Sequence, residues 1–124
     1  RTFRGGETPG LGRLSEFVAQ DLARYKATRN GLVGKRFSSK LSPWVAAGCV
    51  SPRRVAAEVR RWELERGRGQ PSPSSAHYLS EYGWRDYLIF LALKCGPSLF
   101  RLGGPAGTNL PWARDGDLER RLFQ

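Results

Sequence analysis

Ser38-Ser39-Lys40-Leu41-Ser42-Pro43-Trp44 leads, after three residues, into Gly48-Cys49-Val50-Ser51-Pro52-Arg53-Arg54. Two Ser-Pro pairs, Ser42-Pro43 and Ser51-Pro52, therefore lie nine residues apart. A serine ahead of a proline reads as an N-cap hydroxyl followed by the first helical position. Two helix starts so close together imply a short helix followed by a longer one. The free backbone N–H groups of such a start, the hydroxyls of Ser38, Ser39 and Ser42, and the Lys40 ammonium together form a candidate cradle for a phosphate or pyrophosphate.

The spacing on either side agrees with an all-α chain. Leu11, Leu14, Phe17, Val18, Leu22 and Tyr25 fall at helical intervals, which predicts one amphipathic helix from Gly10 to about Arg29. Asn30-Gly31 ends it, with either residue able to take a left-handed cap. A short helix is expected from Pro43 to about Cys49, and a third from Pro52 to about Arg66, with Val55, Val59, Trp62 and Glu63 marking its faces. Residues 67–75, GRGQPSPSS, read as a flexible surface linker. A fourth helix is expected from about Ser75 to Lys94, broken by Gly96-Pro97, and the start of a fifth over 115–124. No strand-like alternation and no internal repeat is present. The expected architecture is one partial helical domain over residues 1–124 with four to five helices.

Composition narrows the function classes. The 124 residues suffice for one modest core. The longest apolar run, Tyr87 to Leu93, is far too short for a membrane span. The chain opens at Arg1 without a methionine, which reads as a processed or excised polypeptide. Net charge is +10, and 17 of the 21 basic residues are arginine. Guanidinium forks suit phosphate or nucleic acid; a GC-rich coding bias would give the same count. Cys49 and Cys95 belong to no CxxC motif and no Cys/His ligand set, so no metal site is expected. They read as buried thiols in a reducing compartment.

A second constellation sits on the fourth helix. Glu81, Trp84 and Arg85 are spaced i, i+3, i+4 and share a face, with Tyr78 one turn earlier. A carboxylate, an indole and a guanidinium together suit a planar polar ligand such as a base. The same spacing also occurs on ordinary solvated helix faces. Gly83, in mid-helix, costs roughly 1 kcal/mol against alanine, and marks either a defect or a close approach.

At these residues the chain resembles the FAD-binding helical domain of the cryptochrome/DNA photolyase family, and within it the cryptochrome DASH branch. The matching pieces run in family order through essentially the whole chain. They are Phe3-Arg4-Gly5-Gly6-Glu7-Thr8 with Leu14, then Tyr25 to Asn30, Ser38 to Trp44, Gly48 to Arg53, Glu81 to Tyr87, and Pro111-Trp112 with Asp115.

The resemblance implies FAD as cofactor. It implies that Tyr25 reaches an FAD phosphate, that Ser38, Ser39, Lys40, Leu41 and Ser42 wrap the pyrophosphate, and that Tyr78 lies near the flavin. It places Glu81 and Trp84, as the catalytic pair, against a flipped-out pyrimidine dimer, with Glu81 and Arg85 beside the cofactor. The usual apolar pair between Glu and Trp is here Tyr82-Gly83. The family carries an antenna domain before this region and further ring-side residues after it, so the chain is read as about half of a flavin site.

The implied function is the FAD-binding segment of a DASH-type flavoprotein, in blue-light-driven pyrimidine-dimer repair (a deoxyribodipyrimidine photo-lyase) or in light sensing. Single-stranded or damaged DNA and the remainder of the domain are the implied partners, in a plastid, mitochondrion or nucleus. The alternatives are a non-catalytic fragment serving as a structural subunit of a larger assembly and a plain basic nucleic-acid-binding module.

Overall fold

The computed structural model describes residues 3–32, 34–67, 69–109, 111, 116 and 120–121. Among the described residues every regular element is helical. The chain divides into two compact units, Arg1–Asp86 and Tyr87–Gln124. The first holds α1 (Glu7–Gln20), a 3-10 turn (Leu22–Arg24), α2 (Tyr25–Thr28), α3 (Ser42–Ala46), α4 (Pro52–Gly67) and the first part of α5 (Pro73–Cys95). The second holds the end of α5 and a 3-10 turn over Gly96–Phe100. No described helix is long and apolar enough to cross a membrane. The expected final helix over 115–124, with Trp112 and Asp115, lies outside the described residues apart from 116, 120 and 121.

The core of the first unit collects the apolar positions that the spacing picks out. Leu14 and Phe17 of α1, Leu22, Tyr25, Leu41, Trp44, Val50, Val55, Val59 and Tyr78 are all buried. Truncating a fully enclosed side chain such as Phe17 would cost about 3–5 kcal/mol. Helices α1 and α4 pack against each other. A Cβ on Gly10 would lie 2.5 Å from Val50 Cγ2 and 2.9 Å from Trp44 Cδ1, so only glycine allows α1 this close. The Trp44 indole N–H donates to the Arg4 carbonyl at 2.8 Å, and its ring meets Phe3 edge-on.

Four local expectations are corrected. The single helix from Gly10 to Arg29 is broken at Asp21. The Asp21 carboxylate is buried, accepts a hydrogen bond from Arg36 Nε at 2.9 Å, and lies 3.8 Å from both Arg13 and Arg24. The next turn, Leu22–Arg24, has 3-10 geometry.

Neither Asn30 nor Gly31 adopts a positive φ. Gly31 is required instead because the Phe37 ring occupies the space a Cβ would need.

The first Ser-Pro start is shifted by one residue. Helix α3 begins at Ser42, Leu41 is the capping position, and no side-chain cap forms. The second behaves as expected, since Ser51 Oγ accepts from the Arg53 N–H at 3.2 Å.

The stretch read as a linker contains a third Ser-Pro start. Ser72 Oγ accepts from the Ser75 N–H at 3.0 Å while the Ser72 N–H donates to Ser75 Oγ at 2.9 Å, a reciprocal cap that starts α5 at Pro73. Ser75 is fully buried and donates to the Glu63 carboxylate, and Ser74 Oγ donates to the Ala23 carbonyl. These bonds fasten the start of α5 to α4 and to the turn before α2.

Candidate functional site

One cavity of about 530 Å³ opens in the first unit between loop 38–42, α3, α2 and α5. Ser38, Ser39, Lys40, Leu41 and Ser42 form one wall, Tyr78, Glu81, Tyr82 and Arg85 form another, and Tyr25, Val45 and Ala46 complete it. All nine residues expected at a cofactor site therefore surround a single space. Trp84 is not among its walls and is 65% exposed. On α5 the face turned to the cavity runs through 78, 81, 82 and 85, which leaves 84 to one side.

The α5 wall is aromatic. The Tyr78 ring stands 4.9 Å from Tyr25 and 5.3 Å from Tyr82, both edge-on, and 4.8 Å from Phe17 behind it. The Tyr78 hydroxyl donates to that of Tyr82. Burial, more than any neighbour, pushes the Tyr25, Tyr78 and Tyr82 phenols above their ordinary value. The hydrogen bond to Glu81 adds to the effect at Tyr25.

Glu81 is shared between elements. It accepts from the Tyr25 hydroxyl and from Arg29 Nη1 at 2.9 Å, and His77 Nε2 lies 3.2 Å away. The i, i+4 pairing with Arg85 does not form. Arg85 donates instead to the Asp86 carboxylate at 3.0 Å. Sequence reasoning missed Arg29 and His77 as partners of Glu81. The i, i+4 spacing of His77 and Glu81 was the available signal for the second.

The opposite wall is polar and held from behind. Lys40 is the one described non-glycine residue with a positive φ, at 53°. Its backbone conformation costs about 1–2 kcal/mol for an L-residue. Arg13, nearly buried on α1, donates to the Ser39 carbonyl through Nε at 2.9 Å and to the Lys35 and Ser38 carbonyls through Nη2 at 2.9 and 3.0 Å. The Ser42 hydroxyl is not used in capping α3. Three serines, a lysine and an aromatic wall thus border the same space, a combination of residue types suited to an anionic ligand with a flat ring system.

Cys49 and Cys95 are both free thiols. Among the described residues no group of three or more His, Cys, Asp and Glu side chains could hold a metal ion.

A solved Synechocystis cryptochrome structure superposes on this chain with a TM-score of 0.88 at 43% identity, over 97% of the chain. A chloroplastic/mitochondrial cryptochrome DASH of Arabidopsis thaliana is 48% identical over 98% of it, and a cryptochrome DASH of Synechocystis is 48% identical over 91%. In sequence and in structure the chain is similar to members of the cryptochrome/DNA photolyase family. Its likeness to cryptochrome DASH runs almost end to end. The chain spans only 21% and 23% of the lengths of those two relatives and 25% of the solved structure. No family model matches it.

Proposed function

We infer that this chain is the FAD-binding segment of a DASH-type cryptochrome/photolyase flavoprotein, with the cavity between loop 38–42 and α5 taking the dinucleotide. The observation that carries the reading is that all nine residues assigned to the cofactor from resemblance line one cavity. The donor set fits a diphosphate: the Ser38, Ser39 and Ser42 hydroxyls and the Lys40 ammonium would hold it. Tyr78 and Tyr82 offer flat apolar surface to a ring. When bound, FAD would supply the light-driven electron donation that the family resemblance implies for splitting a pyrimidine dimer.

In this reading the chain's own residues bind and orient the ligand. Glu81, fixed by Tyr25 and Arg29, would present a held carboxylate at the cavity margin. Trp84, outside the cavity and exposed, would face a nucleic-acid ligand rather than the cofactor. Damaged or single-stranded DNA is the proposed partner, and a plastid or mitochondrion, as for the Arabidopsis relative, the proposed location.

Titration of the chain with FAD, ADP and riboflavin, followed by flavin fluorescence and calorimetry, tests the cofactor reading. FAD and ADP should compete for one weak site, and riboflavin, which has no diphosphate, should not displace ADP. Weak affinity is expected because the resemblance places ring-side residues beyond this segment. Absence of any FAD or ADP binding would overturn the reading.

A structural-subunit reading is favoured by a separate observation. In the second unit Leu88, Phe90, Leu93 and Phe100 are 56–88% exposed, an apolar surface of the kind that marks a protein contact. Such a role would survive Ser42→Ala and Lys40→Ala in a partner-binding assay, whereas cofactor binding would not. The plain basic-module reading gains less support. Arg54 and Arg61 pair with Glu58 on α4.

A further inference from the structure

The geometry points to Arg13, together with Asp21 and Arg36, as the positioning device that holds loop 35–42 open toward the cavity in the shape a diphosphate needs. This inference rests on the cofactor reading above but reaches residues outside the cavity wall. Its strongest part, the shape of the loop, can be tested without any ligand.

Three backbone carbonyls of the loop, at Lys35, Ser38 and Ser39, converge on one guanidinium. Two of those carbonyls, at Ser38 and Ser39, belong to residues that line the cavity. An anion cannot bind well to a loop that presents its carbonyl oxygens, because these carry partial negative charge. Drawing three of them back onto a buried cation removes that repulsion and orients the segment in one step. Arginine suits the task, since its planar fork reaches several acceptors at fixed angles and a lysine ammonium is a single point of charge.

The cation is itself anchored. Its guanidinium lies 2.9 Å from the Glu16 carboxylate and 3.8 Å from the buried Asp21 carboxylate. Asp21 also accepts from Arg36 Nε at 2.9 Å, and Arg36 belongs to the loop. Loop 35–42 is therefore gripped twice from α1 and its end, through main chain by Arg13 and through a side chain by Asp21. The break in the first helix at Asp21 acquires a purpose here: it brings that carboxylate in to meet both arginines. The left-handed backbone at Lys40 follows directly after the last gripped carbonyl, at Ser39. Strain of this kind persists where surrounding bonds over-determine it.

The experiment compares the wild-type chain with Arg13→Lys and Arg36→Ala. Arg13→Lys keeps the charge and loses the fork. Arg36→Ala removes an exposed side chain and leaves the buried Asp21 carboxylate with the Arg13 and Arg24 guanidiniums at 3.8 Å. Amide hydrogen exchange at Leu41 and Val45, whose N–H groups donate to Ser39 Oγ and to the Leu41 carbonyl, should quicken about tenfold or more in Arg13→Lys, the equivalent of one lost hydrogen bond to a charged group. The quickening should be smaller in Arg36→Ala. Exchange over Val55 to Val59 in α4 should stay unchanged in both, which a general loosening of the fold would not allow. FAD and ADP affinity should fall with the same rank order, with the salt dependence of binding preserved in Arg13→Lys.

Unchanged loop exchange in Arg13→Lys, or in Arg36→Ala if Arg13→Lys does not fold, overturns the positioning role. Faster loop exchange with unchanged ADP affinity overturns its link to the ligand. Failure of the wild-type chain to bind FAD or ADP sinks the cofactor reading alone, and the exchange arm still decides whether Arg13 shapes the loop.

Discussion

Tyr25 on α2 donates its phenolic hydrogen to the Glu81 carboxylate on α5, closing a contact between residues 56 apart in sequence. A tyrosine expected at a phosphate and a glutamate expected at a base thus hold each other. Tyr25→Phe removes one hydrogen bond to a charged acceptor and should destabilise the chain by about 1–2 kcal/mol in urea unfolding, since Arg29 still pairs the carboxylate. A double-mutant cycle with Glu81→Gln should return a coupling of about 1 kcal/mol. Additive effects would show that the two residues do not interact in solution.

Two mid-helix glycines should respond with opposite signs. Gly10→Ala drives a methyl against Val50 and Trp44 and should cost about 1–3 kcal/mol. Gly83→Ala meets nothing within 4 Å and should gain about 0.5–1 kcal/mol from the helix backbone. Thermal midpoints of the two variants moving in the same direction would contradict the packing described here.

Three serines before or beside prolines separate stability from ligand binding. Ser72→Ala breaks the reciprocal cap of α5 and Ser51→Ala the cap of α4, each at about 1 kcal/mol in chemical denaturation. Ser42→Ala removes no cap and should stay within about 0.5 kcal/mol of wild type. It should nonetheless weaken FAD and ADP binding. Equal stability losses at all three positions would restore Ser42 to a structural role.

The acid and alkaline limbs of stability have different owners. The Glu16 carboxyl is held below its ordinary 4.5, chiefly by its hydrogen bond from Arg13 and further by Lys35, against the opposing effect of burial. A folded value below the unfolded one gives stability that is complete above about pH 4.5 and is lost as pH falls through the lower, folded value. Glu16→Gln should flatten that part of the acid limb. For Tyr25, Tyr78 and Tyr82 the folded phenols sit above the ordinary 10. Their contribution is complete below pH 10 and falls as pH rises above it. Absorbance at 295 nm should show these three phenols resisting ionisation past pH 10 until the chain unfolds.

The helical class was open to reading because α1 and α4 carry apolar residues at helical periodicity. Leu14, Phe17, Val55 and Val59 are placed by a rule that looks only a few residues ahead. The break at Asp21 was hidden because the group its buried carboxylate accepts from, Arg36, lies 15 residues downstream and meets it only in the folded chain. The start of α5 was hidden differently. Ser72-Pro73 carries the same signal as the two pairs that were recognised, but Gly69, Gln70 and Pro71 ahead of it favour a loop reading. At the site, resemblance gathered the cavity residues, while Arg13 gave no local sign. An arginine on an amphipathic helix ordinarily faces water, and only the returning loop shows it buried.

Position 40 has an implication for anyone who evolves or engineers this polypeptide. Glycine there would relax the backbone at once, and heat-tolerance screens reward that change. Directed evolution scored on melting temperature alone would discard the ammonium early, and the hardened descendants would have traded away a charge whose worth only an affinity assay can register.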